Sequence, residues 1–321
     1  MGIVNRAACA LSRRSFLGLL AAMPLARIRG ATPADWPDQS LWSPDQASTL
    51  DLERRYRADA QVLLLGIPLL HREGVGGGSV LWREFGGSGQ GRLLEFSGFS
   101  SPERAAGLNR LGFIREIART SGGGGLEYIY FGLMTASAEE SAEQARSALH
   151  PTAKEQAYNA IDGRIAGGAS ESATARFSAP ASISGDRCPE LVKQAQRALA
   201  SAEITATRAT REASHSFLHA LAGLLVRPDG EQGRYIYSGR PYLLRLARTP
   251  DGKATAHFRE CGMIGGRAEV LRVSGKVRRE AGGKETDFRL WIESGTERPL
   301  PLRIEYQAKS YLRLMFEAQA G

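Results

Sequence analysis

The sequence predicts a mainly β protein with some helix (α+β), folded as a curved antiparallel sheet or half-barrel with a few peripheral helices. The main support is period-two alternation near the C-terminus, where apolar residues at even positions from 300 to 306 alternate with polar ones at 303, 305 and 307. Such alternation gives a strand one buried and one solvated face, as in antiparallel sheets. Glycine, with 37 residues, concentrates in short runs between extended segments, which indicates turns and bulges.

The N-terminal β-rich half is predicted to span residues 32–134. An apolar run at 62–65 ends a first strand and precedes the turn signal Gly66-Ile67-Pro68. Extended stretches follow at 79–85 and 92–97, and 126–134 indicates a buried strand. Between them, Pro102 and apolar residues at near-helical spacing up to position 117 predict a helix.

Residues 135–212 differ in composition, being rich in Ala, Ser, Glu, Gln and Arg with two aromatic residues. Segments 138–149 and 190–202 are predicted helices, and 167–184 has the low complexity of a loose linker. We therefore expect 135–212 to form a helical and low-complexity crossover.

The C-terminal β-rich half is predicted to span 213–321, beginning with a helix over 214–226. Asp251-Gly252 predicts a hairpin turn that leads into a strand at 253–260. Further strand pairs are predicted at 269–279 with 285–292, and within 300–316. An isolated sheet from either half would expose its apolar face and its edges, so we expect both halves to form one β-rich body.

The first 31 residues resemble a bacterial twin-arginine signal peptide. Arg13 and Arg14 precede an apolar run of about 11 residues that begins with Phe16 and Leu17, whereas a spanning helix needs roughly 20. This pattern predicts recognition by the twin-arginine translocase, export to a periplasmic or extracytoplasmic location, and no transmembrane anchor after cleavage. Ala26 and Ala31 are both candidate cleavage points.

Net charge and composition exclude several classes of protein. With 42% hydrophobic and 24% charged residues, the chain has the composition of a globular protein. Residues 1–31 contain five arginines and no acid, so without them the net charge falls from +8 to +3. The remaining arginines are scattered among acids, and binding to a polyanion needs clustered positive charge. We therefore predict no nucleic-acid partner.

Cysteine usage agrees with export. Beyond the predicted signal, Cys188 and Cys261 remain, an even number in an oxidising compartment. A disulfide between them is one prediction, and a pair of buried free thiols is the alternative.

Two C-terminal segments carry a resemblance to a known family. They are 287–292 with 300–306, and 216–218 with 220–221 upstream of Tyr235. These segments resemble an uncharacterised family of exported Gram-negative envelope proteins built as curved antiparallel sheets. That family is itself loosely similar to the half-barrel lipoprotein carriers of the periplasm. The resemblance implies a fold and a compartment, with no catalytic residues to carry over.

The chain offers one weak candidate metal site. His215 and His219 are four residues apart, which places both imidazoles on one face of the predicted helix. The metalloprotease pattern needs Glu at position 216, where this chain has Ser216, and a third ligand would have to come from elsewhere, such as His71, His257 or Glu212. The alternative is a pair of solvated or helix-capping histidines. Nucleophile-elbow and phosphate-loop motifs are absent, so no cofactor is predicted.

The predicted function is that of an exported envelope protein that binds an apolar or amphipathic ligand or a partner protein. We expect most aromatic residues on the predicted strands to belong to a core. If the curved sheet encloses a cavity for an apolar ligand, some of them line that cavity. The alternatives are a metal-dependent or other hydrolase using His215 and His219, and a structural or assembly factor of the envelope. The aromatic residues concerned are Trp82, Tyr128, Tyr130, Phe131, Tyr235, Tyr237, Tyr242, Trp291, Tyr306 and Phe316.

Overall fold

The structure is a computed structural model. It describes residues 26–27, 48–64, 67–85, 91–101, 103–104, 111–120, 126–135, 155–166, 169–180, 183, 185–208, 215–227, 232–237, 239–283, 285–309 and 312–320. The signal motif Arg13, Arg14, Phe16 and Leu17 and the predicted helix 138–149 lie outside the described residues. No helix within the described ranges is long and apolar enough to cross a membrane.

The described strands form one antiparallel sheet of fifteen strands. The order across the sheet is β1-β9-β8-β7-β6-β5-β4-β3-β2-β15-β14-β13-β12-β11-β10, so two runs of sequential hairpins meet in the middle. The predicted mainly β fold is thereby confirmed. The strands are β1 (Ala26–Arg27), β2 (Ser48–Leu64), β3 (Ile67–Phe85), β4 (Gly91–Ser100), β5 (Leu111–Thr120), β6 (Leu126–Thr135), β7 (Glu155–Ala166), β8 (Ala169–Pro180), β9 (Thr205–Arg208), β10 (Gln232–Tyr237), β11 (Arg240–Pro250), β12 (Val270–Arg279), β13 (Thr286–Glu293), β14 (Arg303–Lys309) and β15 (Leu312–Ala318).

The two runs of hairpins are joined by strand pairing between β2 and β15. Tyr56 lies opposite Ala318 and Val62 opposite Leu312, with continuous antiparallel register between these ends. Further bonds cross the same joint: Tyr56 Oη donates to Pro301 O at 2.6 Å, and Arg54 Nη1 donates to Leu300 O at 2.7 Å. The prediction that the two β-rich regions form one body is therefore confirmed.

Within the described ranges, three α-helices pack on this sheet: α1 (Cys188–Leu199), α2 (Phe217–Leu225) and α3 (Gly252–Glu260). Helices α1 and α2 lie on opposite faces, as the alternation along β5 shows. Leu111 and Phe113 pack in the cluster that contains α1, whereas Glu116 points to α2.

The sheet curves around α2. This helix contacts β10 and β11 at one end of the strand order and also β4 and β5, which are separated from them by most of the C-terminal strands. Leu224 packs against Tyr235 and Leu244, while Ala222 shares a cluster with Trp82 and Leu94. A single short helix can touch both sets of strands only if the sheet bends, so α2 lies in the concave face.

Two sequence-based predictions are wrong, one in the N-terminal half and one in the predicted crossover. The segment predicted as a helix up to residue 117 contains strand β5 instead. Both faces of this strand are covered, so its apolar residues do not alternate with polar ones as they would on a half-exposed strand. The predicted crossover 135–212 contributes β7, β8 and β9 to the sheet. Its small residues are explained by close packing under α1, where Ala160, Ala173 and Ala195 are almost fully buried.

In the C-terminal half, the predicted hairpin turn at Asp251-Gly252 is the start of helix α3. The Asp251 carboxylate accepts a hydrogen bond from Ala254 N at 3.0 Å, as an N-cap does. The predicted helices over 190–202 and 214–226 correspond to α1 and α2, and the last four predicted strands correspond to β12–β15.

Candidate ligand-binding cleft

The buried carboxylate of Glu116 caps the N-terminus of α2. This side chain has no solvent exposure and accepts hydrogen bonds from Leu218 N at 2.9 Å and His219 N at 3.0 Å. The helix N-terminus carries partial positive charge, which stabilises a carboxylate there. Strand β5 thus anchors α2 in the concave face.

The two predicted histidines lie at this anchor. His219 is buried, with its Nδ1 atom 3.2 Å from Glu116 Oε2, and Ser216 Oγ donates to the same oxygen at 2.5 Å. His215 is half-buried, and its pKa is lowered by burial first and then by the nearby His219 and Arg227, while Glu116 opposes the shift. His219 lies on α2, whereas His215 precedes the N-cap residue Ser216, and the carboxylate beside His219 comes from a distant strand.

The anchor does not have the form of a metal or nucleophile site. Among the described residues no group of three His, Cys, Asp or Glu side chains could hold a metal ion. The suggested third ligands are engaged elsewhere, since His71 lies 3.8 Å from Asp59 and His257 lies 3.0 Å from Glu317; Glu212 is outside the described residues. Ser216 is 1% exposed and its hydroxyl faces the carboxylate, so a substrate has no approach to it.

A cleft of about 520 Å³ opens at the other end of α2, between strands of the two runs. Its apolar wall is formed by residues from β3, from the end of α2 and from β12 and β13, which are Trp82, Leu225, Val226, Leu271 and Ile292. Of these, Trp82 and Ile292 are largely buried and Val226 is 44% exposed. Volumes of this size are typical of small-molecule sites.

Cationic side chains lie beside the apolar wall. Arg92, Arg227 and Arg248 line the cleft, together with the acids Glu293 and Glu297. The Arg92 guanidinium lies 4.7 Å from the centre of the Trp82 ring, a cation–π distance. Arg248 Nη2 donates to Leu224 O at 2.5 Å, which fixes this arginine at the C-terminal end of α2.

The Trp82 ring is held in place by a polar network. Its Nε1 atom donates to Glu84 at 2.9 Å, and Arg298 donates to both oxygens of the same carboxylate at 3.1 Å. The hydrogen bonds from Arg298 and then from Trp82 lower the pKa of Glu84. Since Arg298 follows β13 and Glu84 lies on β3, this network also ties the two runs of strands together at the cleft.

The aromatic side chains that the structure describes on the predicted strands divide between core and cleft. Trp82 lines the cleft, whereas Tyr235 and Tyr242 stack at 5.2 Å in the core beside α2. Phe316 contacts Phe96 edge-on at 5.7 Å. Arg92, Arg227 and Arg248 lie far apart in the chain, and no local sequence pattern predicts that the fold brings them together.

Both cysteines predicted as a disulfide are free in the structure. Cys188 begins α1 and packs in the cluster on β7 and β8, and burial raises the pKa of its thiol to about 12. Cys261 is exposed at the end of α3, which contacts β12. These strands are far apart in the strand order, so the predicted bridge is not formed here.

Comparisons with known proteins add little to this description. No protein-family model and no curated protein matches the chain. Among solved structures, the chain is similar to a beta-barrel-like protein of domain of unknown function DUF1849 from Brucella abortus, at 9% identity and a TM-score of 0.35, over 85% of this chain and 98% of that chain. The fold class follows from the strand pairings themselves.

Proposed function

We propose that the protein is exported to the cell envelope and binds an amphipathic ligand with an anionic group in the cleft at the end of α2. The observation that carries this proposal is an apolar wall bordered by three arginines within one cleft. An acyl chain would lie against the more exposed apolar residues Leu225, Val226 and Leu271, and its carboxylate or phosphate would meet the guanidinium groups. Glu293 and Glu297 on the rim favour orientation of the anionic group toward the arginine side.

The proposal is tested by ligand binding with a defined probe. Dansyl-labelled undecanoic acid should bind the purified full chain, and the double variant Arg92→Ala/Arg227→Ala should bind it at least tenfold more weakly. Arg278→Ala, which removes an exposed arginine on β12 outside the cleft, is the matched control and should bind like the wild type. Equal affinity of the double variant and the wild type would refute a cleft site.

The natural ligand should also be recoverable. Mass spectrometry of the protein purified under native conditions from its own envelope should detect a copurifying amphipathic anion, and the double variant should lose it. A stable protein partner without any small ligand would instead support the structural or assembly-factor alternative.

Export is proposed on the sequence pattern around Arg13 and Arg14 and has its own test. A double substitution to lysine should leave uncleaved precursor in the cytoplasm. Normal processing and export of that variant would contradict the twin-arginine route, and the outcome has no bearing on ligand binding.

A further inference from the structure

The hairpin formed by β2 and β3 protrudes beyond the rest of the sheet. Pairing of β2 with β15 ends at Val62, and pairing of β3 with β4 begins only at Gly76. The first part of β3, from Ile67, therefore has β2 as its only neighbouring strand among those described.

The exposed side chains described near the end of this hairpin are apolar. The sequence from Val62 to Leu70, called the apolar tip below, contains no charged or hydrogen-bonding side chain. Its exposed fractions are 66% for Ile67, 64% for Leu69, 58% for Leu70 and 37% for Val62, and these are four of the five exposed large apolar side chains among the described residues. Consecutive strand residues point to opposite faces, so exposure of both Leu69 and Leu70 means that neither face is covered in this first part of β3, whereas Leu63 on the neighbouring β2 is buried.

Charged residues surround the base of the apolar tip. Arg72 is exposed next to it on β3, and Arg313 on β15 donates to Gln61 of β2. Asp59 is buried and accepts hydrogen bonds from Arg57 at 3.3 Å and from Gly74 N at 2.7 Å, so its charge is compensated. With Glu73 included, three arginines and two acids surround the base, an excess of positive charge.

We propose that the apolar tip inserts into the surface of a phospholipid bilayer, with the arginines at its base contacting anionic headgroups. Large exposed apolar side chains grouped together mark interaction sites. Leu69 and Leu70 project from opposite faces of β3, so lipid that surrounds the strand can cover both side chains, whereas a flat protein surface would cover one. Cationic residues next to an apolar segment match the negative surface potential of anionic lipids.

The size of the apolar tip argues against a second copy of the chain as the occupant. Four side chains provide a few hundred Å² at most, whereas a stable protein interface buries roughly 800 Å² on each partner. Insertion into lipid has no such minimum, because apolar area and charge attraction add in proportion to what is inserted.

The experiment uses the full chain and vesicles of phosphatidylethanolamine and phosphatidylglycerol in a 3:1 ratio. Cosedimentation should show binding, weaker on vesicles of phosphatidylcholine alone. The double variant Ile67→Ser/Leu70→Ser should lose at least tenfold in partition coefficient. The matched control Ile67→Leu/Leu70→Ile keeps the apolar surface and should bind like the wild type.

Hydrogen exchange locates the contact and separates it from the apolar run near the N-terminus. Backbone amides of residues 62–73 should exchange more slowly when vesicles are added, and the serine variant should lose this protection while keeping the wild-type melting temperature. The proposal is overturned if vesicles leave exchange in 62–73 unchanged. It is equally overturned if protection appears without lipid and rises with protein concentration, because that result identifies self-association.

Discussion

At the scale of single residues, Glu116 shows why the candidate site was only partly predictable. The spacing of His215 and His219 indicated a shared helix face, whereas the structure places only His219 on α2, with His215 just before the N-cap residue Ser216. The partner of His219 comes from a strand 103 residues earlier in the chain, and no local pattern identifies it. The alternatives of metal ligand and helix-cap neighbour therefore remained open until the fold brought β5 to α2.

Glu116→Gln is expected to destabilise the protein by about 2–4 kcal/mol. The amide keeps the shape of the side chain but loses the charge and turns a donor toward N–H groups, so at least one buried hydrogen bond is lost. Urea unfolding measures the change. Glu285→Gln, at an exposed carboxylate paired with Lys276, is the control and should leave the unfolding midpoint unchanged. An unchanged midpoint for Glu116→Gln would contradict the anchoring role.

Because of Asp162, the free energy of unfolding should fall as pH rises. This side chain is 8% exposed, its Oδ1 atom has no hydrogen-bond partner among the described residues, and burial raises its pKa to about 7. The unfolded state, with an ordinary pKa of about 4, ionises first, so between about pH 4 and pH 7 ionisation favours unfolding.

Asp162→Asn should remove this pH dependence. The variant is expected to match the wild type near pH 4 and to be more stable at pH 8, by up to about 4 kcal/mol. Denaturant titrations at several pH values measure it, with the exposed Asp287→Asn as a control that keeps the wild-type profile. A wild-type profile in Asp162→Asn would show that this carboxylate is not responsible.

At the scale of elements, prediction succeeded where one face of a strand is buried and the other is solvated. Strands β14 and β15 alternate in sequence and were predicted. Strand β5 carries Phe113 toward one face and Glu116 toward the other, with both buried, so its apolar spacing matched a helix by coincidence. Asp251-Gly252 fits both a hairpin turn and a helix N-cap, and only the tertiary contacts distinguish the two.

Glycines inside β3 are required by close packing, which Gly78→Ala tests. A methyl group at Gly78 would lie 2.5 Å from Ser97 O and 3.2 Å from the Phe316 ring. Because backbone cannot move as a side chain can, we expect a loss of roughly 1–3 kcal/mol. Gly223→Ala on α2 meets no atom within 4 Å and should be neutral or stabilising by up to about 1 kcal/mol. Thermal melts compare the two, and equal stability would contradict the packing argument.

At the scale of the whole molecule, the sheet owes its integrity to contacts between distant parts of the chain. The predicted single body was deduced from the cost of exposed sheet edges, which is a general argument that needs no register. The particular joint, β2 against β15, depends on complementary alternation in strands about 250 residues apart, as the 252-residue separation of Arg313 and Gln61 illustrates. Sequence periodicity within one strand carries no information about which strand will be its neighbour.

The two runs of strands should therefore be unable to fold separately. A cut near Gly168 would split the β7–β8 hairpin, so the informative cut lies between Arg208 and His215, giving fragments 1–211 and 212–321. The first fragment would expose the edge of β2 and leave Glu116 buried without its helix, and the second would expose β15 and the apolar side of α2.

Each fragment alone is expected to aggregate or stay unfolded, and the two mixed should recover a single cooperative melt in circular dichroism. A full chain with a protease site inserted within 209–214 serves as the control for failed refolding. After cleavage its two pieces should remain associated as one particle. The contacts that hold them together are the β2–β15 pairing, the Arg298–Glu84 ion pair and the hydrogen bonds from α2 to Glu116. Two fragments that melt cooperatively on their own, or a cleaved chain that separates under native conditions, would show that the joint between the runs contributes little to the fold.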